Sequence, residues 1–192
     1  MQTRYPRTRR WTRAEYDNLI DNGVFQPGER VELLAGQLVV REPQSDPHSL
    51  AVELVNEAIR AAFGAEWRVR VQLPVALDSE SEPEPDVSVA AGRVHGGAEA
   101  KPSRLALVVE VSASSLAVDR EHKGSLYARA RVPEYWVLNL NDRVLEVYRD
   151  PAPAAEALYG WRYRTAQTLG ADAFISPLAA PWSRIPVTDL LP

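Results

Sequence analysis

The chain contains no cysteine. That excludes disulfides and every thiolate metal site, and it fits a reducing compartment, so a cytoplasmic location is expected. No apolar run approaches the length of about 20 residues that a bilayer-spanning helix needs. The N-terminus lacks the pattern of a secretory signal. Histidine is scarce, at three residues, His48, His95 and His122: His95, in Val94-His95-Gly96-Gly97, reads as a mobile loop residue, and His122 points to another face than its neighbour Lys123. Gly96-Gly97 is too sparse for a phosphate loop, and no dinucleotide fingerprint occurs. Basic charge is not in excess either. The net charge of −4 argues mildly against the broad basic footprint of a nucleic-acid binder.

The 192 residues suffice for one sizeable core and are too few for two. A composition of 45% hydrophobic and 25% charged residues is that of an ordinary globular protein. One domain over 1–192 is expected, with a basic arm at 1–13, a core at about 46–149 and a C-terminal edge segment at 150–192. Charge is unevenly placed. The arm holds Arg4, Arg7, Arg9, Arg10 and Arg13 and no acid, which suits a solvated terminus or a phosphate contact. The stretch 78–86 holds Asp78, Glu80, Glu82, Glu84 and Asp86 and no base. Unpaired acids massed in this way fit divalent-cation binding.

Local patterns place the elements. Thr12 and Glu15 form a capping box, with Trp11 and Tyr16 as a hydrophobic staple, and the helix they open stops near Gly23. Glu29 to Leu34 and Gln37 to Arg41 read as a hairpin around Ala35-Gly36. A second helix has Asp46 as cap and Pro47 at its first position, closes at Gly64, and presents Leu50, Leu54, Val55, Ala58, Ile59, Ala62 and Phe63 to a sheet. Strands are expected at Trp67 to Leu77, with Val69, Val71 and Leu73 on one face, at Asp86 to Ala90, and at Leu105 to Ser112. The Leu/Val run of the last implies burial on both faces. A helix capped by Asp119 runs to about Arg131, followed by strands at Glu134 to Leu140 and Val144 to Tyr148. Pro151 to Ala157 reads as a loop, with edge strands at Trp161 to Thr165 and Ala173 to Ile175. Tyr135 and Trp136 alternate on their strand and fill the core on both sides. The result is an α/β layered domain with a mixed sheet.

Asp86 and Glu110 carry the chemistry. A carboxylate inside the run Leu105-Ala106-Leu107-Val108-Val109-Glu110-Val111-Ser112 is costly to bury without a cation or hydrogen-bond donors. In an antiparallel meander, Asp86 at the start of one strand lies beside Glu110 near the end of the next. Both then reach one Mg2+ or Mn2+, with a backbone carbonyl near Val111 as a third ligand. Such ions prefer oxygen ligands and keep waters, one of which can be the nucleophile. Two carboxylates and a lysine are the elements of a metal-dependent phosphodiester-cleaving site; a lysine two residues after Glu110 would stabilise the charge developing on the phosphoryl oxygens, but Ser112 stands there. Lys123, on the next helix with Tyr127 and Ala130 on its face, is the available substitute, or else a solvated helix lysine. His48, in the first turn of its helix, is a capping or surface residue or a ligand.

In order along the chain, Pro83-Glu84-Pro85-Asp86, Val109-Glu110-Val111-Ser112, Asp119, Arg120, Lys123, Tyr127, Ala128 and Val132-Pro133-Glu134-Tyr135-Trp136 form a series. It resembles the putative restriction endonuclease family of the PD-(D/E)XK nuclease superfamily. The resemblance runs from about Trp11 to the C-terminus and takes in Val31-Glu32-Leu33, Pro47-His48 and Gln72-Leu73-Pro74. It implies a restriction-endonuclease-like core with an N-terminal helix and hairpin, a Mg2+-dependent nuclease, and commonly a homodimer. By position, Asp86 and Glu110 become the metal ligands and Lys123 the relocated lysine. Glu32, His48, Gln72 and Ser112 become cleft residues. Three functions follow: a DNA endonuclease; a binding module of the same fold without catalysis, favoured by the absence of a lysine at 112; or a metal-dependent phosphoesterase acting on RNA or nucleotides.

Overall fold

A computed structural model describes residues 8–92 and 100–192. Arg4, Arg7 and His95 lie outside the described residues. Helix α1 (Arg13–Asp21) opens with the expected capping box: Thr12 accepts from the Glu15 amide and Glu15 reaches back to the Thr12 amide. Strands β1 (Val31–Leu34) and β2 (Gln37–Val40) form an antiparallel hairpin. Ala35 and Gly36 turn it with φ of 48° and 77°, the left-handed pair that a two-residue hairpin turn requires.

Helix α2 (Asp46–Phe63) differs from expectation at its start. Ser45 occupies the cap and Asp46 already lies in the first turn, where a negative charge suits the helix dipole. Its buried face keeps the expected Val55, Ile59, Ala62 and Phe63 and takes Ala51 and Val52 in place of Leu50, which stays exposed, so the apolar stripe is slightly rotated at the N-terminal end.

Strands β3 (Trp67–Val71), β4 (Val87–Ala91), β5 (Leu107–Ser112), β6 (Glu134–Asn139), β7 (Val144–Pro153) and β8 (Trp161–Gly170) form one six-stranded sheet in that spatial order. All neighbours are antiparallel except β5 and β6. The parallel pair needs a crossover, supplied by a π-wound turn (Val118–Lys123) running directly into helix α3 (Gly124–Arg129). Asp119 sits inside that turn rather than capping the helix. Strand β3 stops at Val71 because Gln72 takes a φ of 49°, and Leu73 is left exposed rather than aligned with Val69. Strand β7 continues through Pro151 and Pro153, which were expected in a loop. Beyond Arg149 the strand pairs only with β8, so the proline nitrogens need no partner on the other side. Two further short strands, β9 (Phe174–Ile175) and β10 (Ile185–Pro186), pair with each other and not with the main sheet.

Alternation along β5 divides the core. Leu107, Val109 and Val111 face α2, packing with Val55, Ile59, Phe63, Trp136 and Leu138. Val108 faces the other way, against Tyr127, Tyr135, Val137 and Tyr163. The C-terminal residues Ile185, Val187, Leu190 and Leu191 belong to the first of these clusters, so the core extends beyond 46–149. Glu110 shares the face of Val108. An acid is thereby placed under the crossover helix.

Candidate active site

The β4–β5 register, with Val87 opposite Val109, sets Asp86 beside Glu110. Both are 1% exposed. Glu110 Oε1 accepts from Lys123 Nζ at 3.0 Å and from the Tyr127 hydroxyl at 2.7 Å. Its Oε2 receives only a long contact, 3.4 Å, from the Asp86 amide. Asp86 Oδ2 accepts from the Val111 amide at 2.9 Å, so a donor of Val111 faces this carboxylate. Three side chains hold Asp86 Oδ1: Arg41 Nη2 at 3.2 Å, Gln72 Nε2 at 3.2 Å and His48 Nε2 at 3.3 Å.

Glu32 enters from β1. Its Oε1 accepts from the Glu84 amide at 2.9 Å, and its Oε2 lies 3.3 Å from Lys123 Nζ. Asp119 approaches Lys123 from four residues back, at 3.9 Å. The π winding makes this geometry: the Gly124 amide bonds to the Asp119 carbonyl five residues earlier, and Asp119 and Lys123 both end up buried toward the sheet. Ser112 is buried as well, but its hydroxyl turns toward Ser115, 3.3 Å away, and Asp119 rather than toward Asp86 and Glu110. A cleft of about 360 Å³ opens onto the group, lined by Glu32, Arg41, His48, Asp86, Glu110 and Lys123. Gln72 touches Asp86 from outside that lining.

The electrostatics follow from burial and neighbours. For Asp86, burial pushes the carboxyl up, but the His48 contact, Arg41 and Lys123 outweigh it and hold the group well below the usual carboxylate range. For Glu110, burial dominates even against Lys123, and the charges of Asp86, Asp119 and Glu32 add to it, pushing the carboxyl up to about 8. Lys123 is nevertheless held charged. Burial favours its neutral form, but Glu110, Glu32 and Asp119 together raise it above the ordinary lysine range. As an isolated pair the two shifts would conflict, since a neutral Glu110 could not hold Lys123 charged. The direction that stands is a charged Lys123, which also lies within reach of Glu32 and Asp119, while burial pushes the Asp119 carboxyl up as well.

The acidic stretch behaves differently from expectation. Glu82 exchanges backbone hydrogen bonds with Leu33, docking the stretch beside β1. Its acids are paired: Glu80 with Arg10 at 2.8 Å, Glu82 with Arg13 at 2.9 Å and Lys101 at 2.6 Å, Glu84 with Arg30 at 3.1 Å, and Asp78 with Arg129. Of the five, Asp86 alone belongs to the buried cluster. Arg10 and Arg13 of the arm are thus committed to acids of the same chain.

Sequence reasoning missed Arg41. The hairpin register held the signal: Glu32 opposes Val39, so Arg41, two residues on, lies on the same face one step diagonally. Its guanidinium spans Glu32, at 3.5 Å, and Asp86. His48 and Gln72 both reach Asp86, while His122 turns away to the Tyr159 hydroxyl. Among the described residues, no group of three or more His, Cys, Asp or Glu side chains is arranged to hold a metal ion. None of the described helices is long and apolar enough to cross a membrane.

A mixed sheet flanked by helices, with buried acids where β4 and β5 meet, defines a restriction-endonuclease-like α/β protein. The chain belongs to the family described as Uma2, putative restriction endonuclease, whose model matches residues 13–188. The crystal structure of a putative nuclease belonging to DUF820 from Anabaena variabilis shares the fold, with a TM-score of 0.70 at 15% identity over 93% of this chain and 96% of that one. No curated protein matches the chain.

Proposed function

We propose that the protein is a Mg2+- or Mn2+-dependent endonuclease that hydrolyses DNA phosphodiester bonds at the Asp86, Glu110 and Lys123 cluster. One observation carries this reading: the Lys123 ammonium lies 3.0 Å from Glu110, beside Asp86, in a cleft open to solvent. The family membership supports it. The donor set also fits a hard divalent cation. Asp86 and Glu110, brought side by side by the β4–β5 register, offer the carboxylate oxygens that such an ion takes, with water to fill its remaining positions.

Asp86 and Glu110 would hold the ion, and the bound ion would supply an activated water and charge neutralisation at the phosphate. The rest falls to the chain. Val111 and Gln72 orient the Asp86 carboxylate, and Tyr127 orients Glu110. Lys123 places a fixed positive charge at the cleft floor, where it stabilises negative charge developing on a phosphoryl oxygen. The buried setting strengthens that interaction relative to water.

Asp86→Ala and Glu110→Ala are expected to abolish Mg2+-dependent cleavage of plasmid DNA while leaving the circular dichroism spectrum unchanged. A second reading, a binding module of the same fold without catalysis, is favoured by one observation: Asp86 already has donors on both oxygens. Calorimetry separates the two, since the absence of Mg2+ or Mn2+ binding sinks the nuclease and leaves the module. Cleavage of RNA or free nucleotides without action on duplex DNA points instead to a phosphoesterase. The family likeness adds a homodimer, which light scattering checks.

A further inference from the structure

The two cations at the site, Lys123 buried and Arg41 partly exposed, differ in how they are anchored. Lys123 is held at depth by three carboxylates, Glu32, Glu110 and Asp119. Arg41 reaches in from the cleft wall, next to Val40 and Glu42, with its side chain 13% exposed. It donates Nη1 to the Glu84 carbonyl at 2.9 Å and Nη2 to Asp86 Oδ1 at 3.2 Å. Asp86 Oδ2 accepts a backbone amide, that of Val111, which cannot move aside, whereas the three donors on Oδ1 are side chains, and an ion taking Oδ1 displaces them. The bonds to Oδ1, at 3.2 Å and 3.3 Å, are longer than a tight charge-assisted hydrogen bond of about 2.7–2.9 Å.

We propose that Arg41 is a resident cation which a divalent metal displaces from Asp86, and that the displaced guanidinium then binds a phosphate of the nucleic-acid substrate. The inference rests on the metal site proposed above. One carboxylate oxygen cannot keep a guanidinium and a divalent ion together without strong repulsion between them at a few ångströms. Arg41 has somewhere to go, because its flexible stem rises from the wall of a solvent-open cleft. A displaced guanidinium in a half-dry cleft needs an anion, and its planar fork matches a phosphate in two hydrogen bonds. Metal and phosphodiester therefore reinforce each other's binding through this side chain, by the reciprocity of linked equilibria.

The experiment titrates Mn2+ calorimetrically into wild type and Arg41→Gln, with and without a short thymidine oligonucleotide, alongside melting curves. Without oligonucleotide, Arg41→Gln is expected to bind Mn2+ roughly tenfold more tightly than wild type, an ordinary coupling magnitude. In metal-free buffer it melts lower than wild type, and Mn2+ returns more of its Tm than wild type gains. The oligonucleotide tightens Mn2+ binding to wild type by a larger factor than to Arg41→Gln, in which only the ion and Lys123 remain to meet the phosphate; an equal factor in both overturns the phosphate role of Arg41. Arg41→Lys keeps one charge but cannot bridge both carboxylates; it too is expected to exceed wild type in Mn2+ affinity and serves if Arg41→Gln does not fold. Equal or weaker Mn2+ binding by the variants, with wild type binding normally, overturns the role of Arg41 and leaves the metal site standing. No Mn2+ binding by any of the proteins overturns the metal site and this inference with it.

Discussion

Glu110 shows how a single residue sets the pH response of the site. Burial, against Lys123 and with the repulsion of Asp86, Asp119 and Glu32, raises its carboxyl from an ordinary 4.5 to about 8. The folded state therefore holds a proton that the unfolded chain has lost, and stability falls as pH rises between those two values. Asp86 acts in the opposite sense and lower down, because its depressed carboxyl contributes stability that is lost as pH falls below its ordinary 3.8. Urea unfolding is expected to show wild type less stable at about pH 8 than at about pH 5, with Glu110→Gln flattening that difference. Saturating Mn2+ should flatten it too, because the cation replaces the proton. Wild-type stability that rises over this interval would count against the raised carboxyl. The acid was legible at this scale, since a glutamate in a Leu/Val strand demands a partner. Lys123 was legible as the cation of the following helix, with Tyr127 on its face, whereas the hydroxyl bond of Tyr127 to Glu110 and the winding that brings both side chains there were not.

At the scale of elements, the legible parts were those with local rules. The capping box of α1, the Ala35-Gly36 turn and the alternation of β5 each follow from neighbouring residues. The rotated stripe of α2, the stop of β3 at Gln72 and the continuation of β7 through its prolines depend on which strand lies alongside, which no local pattern records. The π turn is the consequential case. An α-helix advances about 100° per residue, so the extra residue held in the turn sets where Lys123 points relative to Asp119. Deleting the exposed Glu121 should restore α winding and swing Lys123 off Glu110. DNA cleavage is expected to drop by about a hundredfold or more, the scale of a misplaced reacting group. Glu121→Ala, which leaves the winding intact, should cleave like wild type. Undiminished cleavage by the deletion variant would show that Lys123 does not act from this position.

The whole molecule assembles its site from distant stretches. Glu32 and Lys123 stand 91 positions apart in sequence, and the hairpin, α2, the acidic stretch, β5 and the crossover each supply one or two of the converging side chains. Charge is arranged at the same scale: Arg10 and Arg13 of the arm pair with Glu80 and Glu82 of the acidic stretch, far away in sequence. That pairing was not legible because each segment viewed alone calls for an external partner. The C-terminal segment has a comparable hidden role. Ile175, Ala180, Ile185, Val187, Leu190 and Leu191 are buried against the α2 side of the sheet, and Ser183 donates to the Ala62 carbonyl near the end of α2. Full burial of a large aliphatic side chain contributes about 1.5–3 kcal/mol, so these residues together contribute on the order of 10 kcal/mol. An ordinary domain has only about 5–15 kcal/mol in total. Truncation after Gly170 should therefore leave a chain without a cooperative melting transition and with rapid amide exchange in α2 and β5. A truncated protein that melts near wild type would mean that α2 and the sheet hold their core without this segment.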